Sequence, residues 1–259
     1  MRHDDFTPPP ARGRLFTSAM RPGLADCAPS GRMRLDALAR WLQDVAYADV
    51  EEAGVADRAV WVVRRTRLRV ERWPRFGEPC TALTFCSGLG RMWAERRTAI
   101  APARAGNAIA PAGAGGPVAP ANAATSIVEA VSLWVHLDPA SRRPTPLSDA
   151  ELHRYREAAG ERRVTARLRH PPPEPGTRNC AWTFRATECD LAGHINNAAY
   201  WQPLEEQLLI GPDPERIDAE IEFRTPAQPG TKIVALDGRR MWIVDDGGET
   251  HASIYFTLA

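Results

Sequence analysis

The same order of elements occurs twice in this chain: a helix with one apolar side, a long strand, a corner carrying proline and glycine, and then further strands. In the first copy "MRLDALARWLQDVAYADVEEA" (33–53) places Met33, Leu38, Trp41, Leu42, Val45 and Ala46 on one helical stripe and charged residues opposite. Gly54 ends the helix, and "VWVVRRTRLRV" (60–70) follows with β-branched residues and partial alternation, which predicts a strand. The corner "VERWPRFGEP" (70–79) breaks that strand, and further strands are expected at "CTALTFCS", "RMWAERRTAI" and "SIVEAVSLWVHLD". The second copy has a strand at "AWTFRAT", a short helix at "NNAAYWQPLEEQLL" with Pro203 in its first turns, and then strand, corner and strand in "IDAEIEFRTPAQPGTKIVAL" (217–236), whose corner "EFRTPAQPGTK" (222–232) matches the first. "RRMWIVDD" and "HASIYFTLA" finish it as strands. A helix covering an antiparallel sheet, made twice, buries both apolar faces, so the pattern predicts an α+β protein of two similar halves.

The boundaries follow from composition. Residues 1–145 form the first half, 146–178 a linker ending in "RHPPPEPGTR", and 179–259 the second half. Between the third and fourth strands of the first half, "APARAGNAIAPAGAGGPVAPANAA" has almost nothing large to pack and is expected to be a loop with little fixed structure.

Charge and cysteine usage limit the function. Thirty-three Lys and Arg against thirty-two Asp and Glu leave a formal charge of +1, with no overall basic signal for nucleic acid. Five cysteines without zinc-like spacing suit a reducing compartment, and no apolar leader or membrane-length apolar run occurs, so a cytoplasmic protein is expected. Its oligomeric state is expected to be monomer or homodimer. No Rossmann fingerprint, P-loop or G-x-S-x-G elbow is present.

The chemistry gathers in "CDLAGHINNAAYWQPLEE" (189–206), where Asp190, His194, Asn196 and Asn197 precede the second helix and Glu206 follows along it. Asp and Asn are also ordinary turn formers and helix caps, and Glu206 is equally readable as a surface charge. As a site, Asp190 would serve as base or nucleophile at a carbonyl, its carboxyl raised by apolar neighbours such as Leu191 and Trp182. Backbone N–H groups between Gly193 and Asn197 would receive developing negative charge. The remaining histidines form no short ligand spacing with His194, so neither metal nor cofactor is expected. Arg64, Arg65, Arg67, Arg69, Arg72 and Arg75, with Arg96, Arg97, Arg142 and Arg143, read either as a positive docking surface or as the wet face of half-buried strands.

The 189–206 stretch resembles the signature of hotdog-fold thioesterases, and the chain from about residue 20 onward is similar to the plant and bacterial acyl-acyl-carrier-protein thioesterases. "GRMRLDALARWLQDVAYADVEEAG", "WVVRRTRLRVERWPRFGEP" and "SLWVHLDPASRRP" match that family's first half in order and character. The resemblance implies a tandem hotdog fold and hydrolysis of fatty acyl-acyl carrier protein, the partner being a carrier protein with a 4'-phosphopantetheine-linked acyl chain. Asp190, His194, Asn196 and Asn197 fall on the family's functional positions, and the family's signature also has a glutamate downstream. The sequence departs at Ala192, where the plant enzymes have asparagine, and at Pro226 and Ala227, where they have glutamate and cysteine. A cysteine mechanism is therefore not implied, and acyl-CoA hydrolysis or an inactive acyl-binding module are the alternatives.

Overall fold

A computed structural model of the chain describes residues 6–56, 60–103 and 125–259. The Ala/Gly/Pro-rich stretch expected to be a loop lies, from residue 104 to 124, outside the described residues.

The first half contributes β1 (Phe16–Met20), α1 (Leu35–Glu52), β2 (Val60–Val70), β3 (Cys80–Leu89), β4 (Trp93–Pro102) and β5 (Val128–Leu137). The segment between the halves carries α2 (Asp149–Ala159). The second half contributes β6 (Arg178–Phe184), a 3-10 turn leading into α3 (Gln202–Leu209), β7 (Ile217–Phe223), β8 (Gly230–Asp237), β9 (Arg240–Val244) and β10 (Thr250–Leu258). Every element predicted above is found; β1 and α2 are additional.

Among the described residues all ten strands join one sheet in the order β1-β3-β4-β5-β2-β7-β10-β9-β8-β6, antiparallel throughout. The halves meet where β2 pairs with β7, and alternation on the two strands explains why. Arg65, Arg67 and Arg69 lie opposite Glu222, Glu220 and Asp218, while Thr66, Leu68 and Val70 lie opposite Ile221, Ala219 and Ile217. The period-two pattern thus turns one face into a ladder of opposite charges and the other into core.

The helices cover the apolar face. Leu35, Leu38, Leu42 and Val45 of α1 join Tyr200, Trp201, Leu204 and Leu208 around α3 in one buried cluster that also takes in Leu68, Ile221 and Ile254 from the sheet. Pro203 sits in the first turn of α3, where its missing N–H costs nothing. Gly54, at φ +71°, ends α1 in the left-handed conformation that glycine adopts without penalty. Arg34 gives α1 no side-chain cap; instead Glu205 of α3 accepts the Leu35 N–H at 3.0 Å. Glu205 also pairs at 2.8 Å with fully buried Arg32, which reaches Asp213 at 2.6 Å. No helix among the described residues is long and apolar enough to cross a membrane.

The arginines are not a free positive surface. Arg67 and Arg69 both bind Asp218, Arg96 binds Asp49 at 2.6 Å, Arg97 pairs with Glu129, and Arg65 lies 3.8 Å from Glu220. Arg72 pairs with Glu78, and Arg64 donates to the Arg224 carbonyl. Strand alternation puts Arg65, Arg67, Arg69 and Arg97 on the sheet's outer face, where acids on neighbouring strands neutralise them, whereas Arg96 faces α1 on the inner side. Arg75, Arg142 and Arg143 remain exposed.

Candidate active site

The loop after β6 is built to hold a carboxylate in place. A 3-10 turn (Ala186–Glu188) brings the chain to Cys189, which bridges Ile195 and closes a tight excursion between them. Asp190 N–H donates to the His194 carbonyl at 3.0 Å, and Gly193 N–H donates back to the Asp190 carbonyl at 3.0 Å. Gly193 adopts φ +78°, so a side chain there would be strained although space surrounds it. Below, buried Ile195 donates its N–H to the Ala227 carbonyl, and Ala227 donates to the Tyr200 hydroxyl at 2.8 Å. The second corner therefore buttresses the loop. Burial pushes the Tyr200 phenol up to about 12, so it stays protonated as that acceptor.

Asp190 uses one oxygen for the loop and presents the other. Its Oδ1 accepts the Ala192 N–H at 2.8 Å, and its Oδ2 accepts from Asn196 Nδ2 at 3.3 Å. Asn196 in turn accepts the Ala198 N–H at 2.8 Å, the turn-forming role its residue type predicts, while its amide faces the first half. There Gln43 of α1 makes a reciprocal amide pair with it, Gln43 Nε2 donating at 3.3 Å and Asn196 Nδ2 donating at 3.2 Å. Asp190, Asn196 and Gln43 all line a mainly apolar cavity of about 600 Å³. The cavity runs along α1 past Ala46, Tyr47 and Val50 toward the inner face of the first-half strands.

The other predicted residues are placed differently. His194 is half-buried beside the cavity, its Nδ1 3.9 Å from Asp190 Oδ1 and 3.4 Å from the Ile195 carbonyl. Asn197 is half-buried and outside the cavity lining. Glu206 is exposed on α3 and does not line the cavity; the helical period turns Glu205, not Glu206, inward, toward Arg32 and the start of α1. Leu191 is fully exposed at the cavity mouth, so the apolar shield expected over Asp190 is missing on that side. The Gly193, Ile195 and Asn196 N–H groups are used within the protein, whereas those of His194 and Asn197 have no partner among the described residues. Gln43 was not legible as a site residue: it is one polar position on an amphipathic helix, and only its meeting with Asn196 marks it.

Among the described residues, His170, Glu220 and Glu222 alone bring three ligand-type side chains within reach of one another, far in sequence from the 189–206 loop. They form a clasp instead. Glu222 accepts the Arg169 and His170 N–H groups at 2.6 and 3.0 Å, His170 Nδ1 lies 3.0 Å from Ser253 Oγ, and Arg224 stands 3.6 Å from Glu222.

Two helix-covered halves sharing one antiparallel sheet, with a loop of one half facing a cavity of the other, define a tandem hotdog protein. Residues 13–114 match the acyl-ACP thioesterase N-terminal domain family. Similar in fold are the acyl-ACP thioesterase of Bacteroides thetaiotaomicron (14% identity, TM-score 0.72, covering 95% of this chain and 98% of that one) and the 12:0-ACP thioesterase of Umbellularia californica (15% identity, TM-score 0.69, 96% and 99%). In sequence, an uncharacterised protein of Mycobacterium tuberculosis is 23% identical over 228 residues, 86% of this chain and 82% of the relative.

Proposed function

We propose that this protein is a thioesterase that hydrolyses fatty acyl-acyl carrier protein to free fatty acid and holo-carrier protein, in the cytoplasm, at one site formed by both halves. The observation that carries this reading is Asp190: a carboxylate fixed through one oxygen, with the other held only by an amide at 3.3 Å, at the wall of a mainly apolar cavity. An acyl chain suits the cavity, and a carboxylate beside it suits attack on the carbonyl. The match of residues 13–114 to the acyl-ACP thioesterase family supports the same reading.

In the mechanism proposed, Asp190 Oδ2 takes a proton from water as that water forms the new C–O bond. The C–S bond breaks, and the proton passes to the departing pantetheine sulfur. Asn196 and Gln43 orient the carboxylate, His194 steadies it from the loop side, and the N–H groups of His194 and Asn197, without partners among the described residues, are assigned to receive charge from the carbonyl oxygen. Glu206 receives no role. The division of labour assigned is that residues 1–145 shape the acyl pocket and 179–259 carry the motif, with 146–178 joining them.

The test is thiol release from acyl-carrier protein and acyl-CoA of the same chain. Wild type should turn over, and Asp190→Asn should lose roughly 10²–10⁴-fold in kcat. Unchanged rates in that variant would return Asp190 to a turn former, and tight acyl binding without turnover in wild type would identify a binding module. The ratio of kcat/KM on the two carriers separates carrier-protein from coenzyme A specificity.

A further inference from the structure

The cavity has two ends. At one, Asp190 and Asn196 meet Gln43; at the other, Val50 of α1 faces Cys86 of β3 and Tyr155 of α2. Gln43 and Val50 are about two helical turns apart, roughly 10 Å at 1.5 Å per residue. Tyr155 is buried, and it comes from the segment between the halves: α2 packs on β3 and closes this end.

Charge borders Tyr155 on the cavity wall itself, where Glu95 and Arg96 line the cavity beside it. Arg96 lies 5.9 Å from its ring and pairs at 2.6 Å with Asp49, which also holds Arg14 at 2.6 Å. Beside them, Arg162, just past α2, pairs with Glu95. A methyl terminus pushed past Tyr155 would displace a packed ring and separate the buried Arg96–Asp49 pair, leaving its charges unmatched away from water, so the end is stiff. Burial pushes the phenol up to about 12, so the ring remains neutral against this network.

We propose that Tyr155, presented by the helix between the two halves, sets the acyl-chain limit of the cavity, so that the substrates are medium-chain acyl thioesters. With C–C bonds near 1.5 Å, an extended chain advances roughly 1.25 Å per carbon, and about eight carbons span the distance from Gln43 to Val50. The rest of the cavity volume, toward exposed Tyr47 and Leu191, is left for the thioester and the pantetheine arm. The inference rests on the thioesterase reading for its substrate and on the cavity end for its limit.

The experiment is a thiol-release panel of saturated acyl thioesters from about four to eighteen carbons with wild type, Tyr155→Ala and Val50→Phe. Wild type should peak near eight to ten carbons and fall about tenfold or more in kcat/KM by sixteen. Tyr155→Ala should raise the sixteen-carbon rate relative to the eight-carbon rate by about tenfold, and Val50→Phe, which fills the same end from the other side, should move the optimum to shorter chains. A wild-type optimum at sixteen carbons, or one profile shared by all folded variants, overturns the proposal. Absence of turnover at every length defeats the thioesterase reading alone. The limit is then read by calorimetry with non-hydrolysable acyl thioethers, where equal affinity for eight and sixteen carbons overturns it.

Discussion

At the residue scale, the decisive contact is an amide pair between residues 153 positions apart, Gln43 and Asn196. Asn196 touches both Gln43 and Asp190, so loss of Gln43 lets the Asn196 amide turn and the carboxylate drift. Gln43→Ala should lower kcat by roughly 10- to 100-fold, the scale expected when a reacting group moves by about an ångström, with KM and melting temperature little changed. A parallel fall in melting temperature would reduce Gln43 to a packing residue. Gly193→Ala tests the loop itself: holding an L-residue at φ +78° costs about 1–2 kcal/mol, read as a lower denaturation midpoint. Cys86, although it lines the cavity, is unsuited to nucleophilic attack, because burial pushes its thiol up to about 11.

At the scale of elements, α1 and α3 depend on each other. The carboxylate of Glu205 satisfies the Leu35 N–H, which Arg34 does not cap, and shares Arg32 with Asp213. Glu205→Ala removes that acceptor and strips a fully buried guanidinium of one partner, so a loss of about 3 kcal/mol is expected in equilibrium denaturation. The same change at Glu206, which is exposed, should cost less than about 0.5 kcal/mol. Equal losses at the two positions would contradict the inward placement of Glu205. The contrast also shows what the sequence carried here: helical spacing puts Glu205 with Leu204 and Leu208 on the inner stripe and leaves Glu206 off it, while only the fold supplied the buried arginine that Glu205 meets.

At the scale of the whole molecule, the seam between β2 and β7 should make stability sensitive to acid. Burial by itself would raise the Asp218 and Glu220 carboxyls, but Arg67 and Arg69 around Asp218, and His170 and Arg65 around Glu220, outweigh it and hold both below their ordinary values. Below the ordinary carboxylate range, near pH 4, the unfolded chain binds protons that the folded chain refuses. The seam's contribution is therefore complete above that range and is lost as pH falls through the lower folded values. Asp218→Asn should flatten the decline in melting temperature below about pH 4 and lower stability at neutral pH by roughly 2–3 kcal/mol. A second prediction belongs to the molecule as a whole: titration with a tight acyl thioether should saturate at one site per chain. The first helix is entered through "CAPSGRMRLDAL", which has neither histidine nor an asparagine pair. Two equivalent sites would refute the division of labour between the halves.

Sequence alone determined the repeated order of elements, because periodicity records which side of each helix or strand must leave water, and "IDAEIEF" and "VVRRTRLRV" carry that alternation openly. It also located the loop holding Asp190 and Asn196, whose turn chemistry is local. The helix α2 was missed although Ser148 and Glu151 form its capping box, since the surrounding proline and polar residues read as a linker. Only the tertiary structure decided that Arg65, Arg67 and Arg69 would be spent on acids of a neighbouring strand, that Glu205 would meet Arg32, that Gln43 would meet Asn196, and that Tyr155 would close the cavity. Each of these pairs residues far apart in the chain, and a one-dimensional pattern shows which face a side chain takes without showing what will be waiting there.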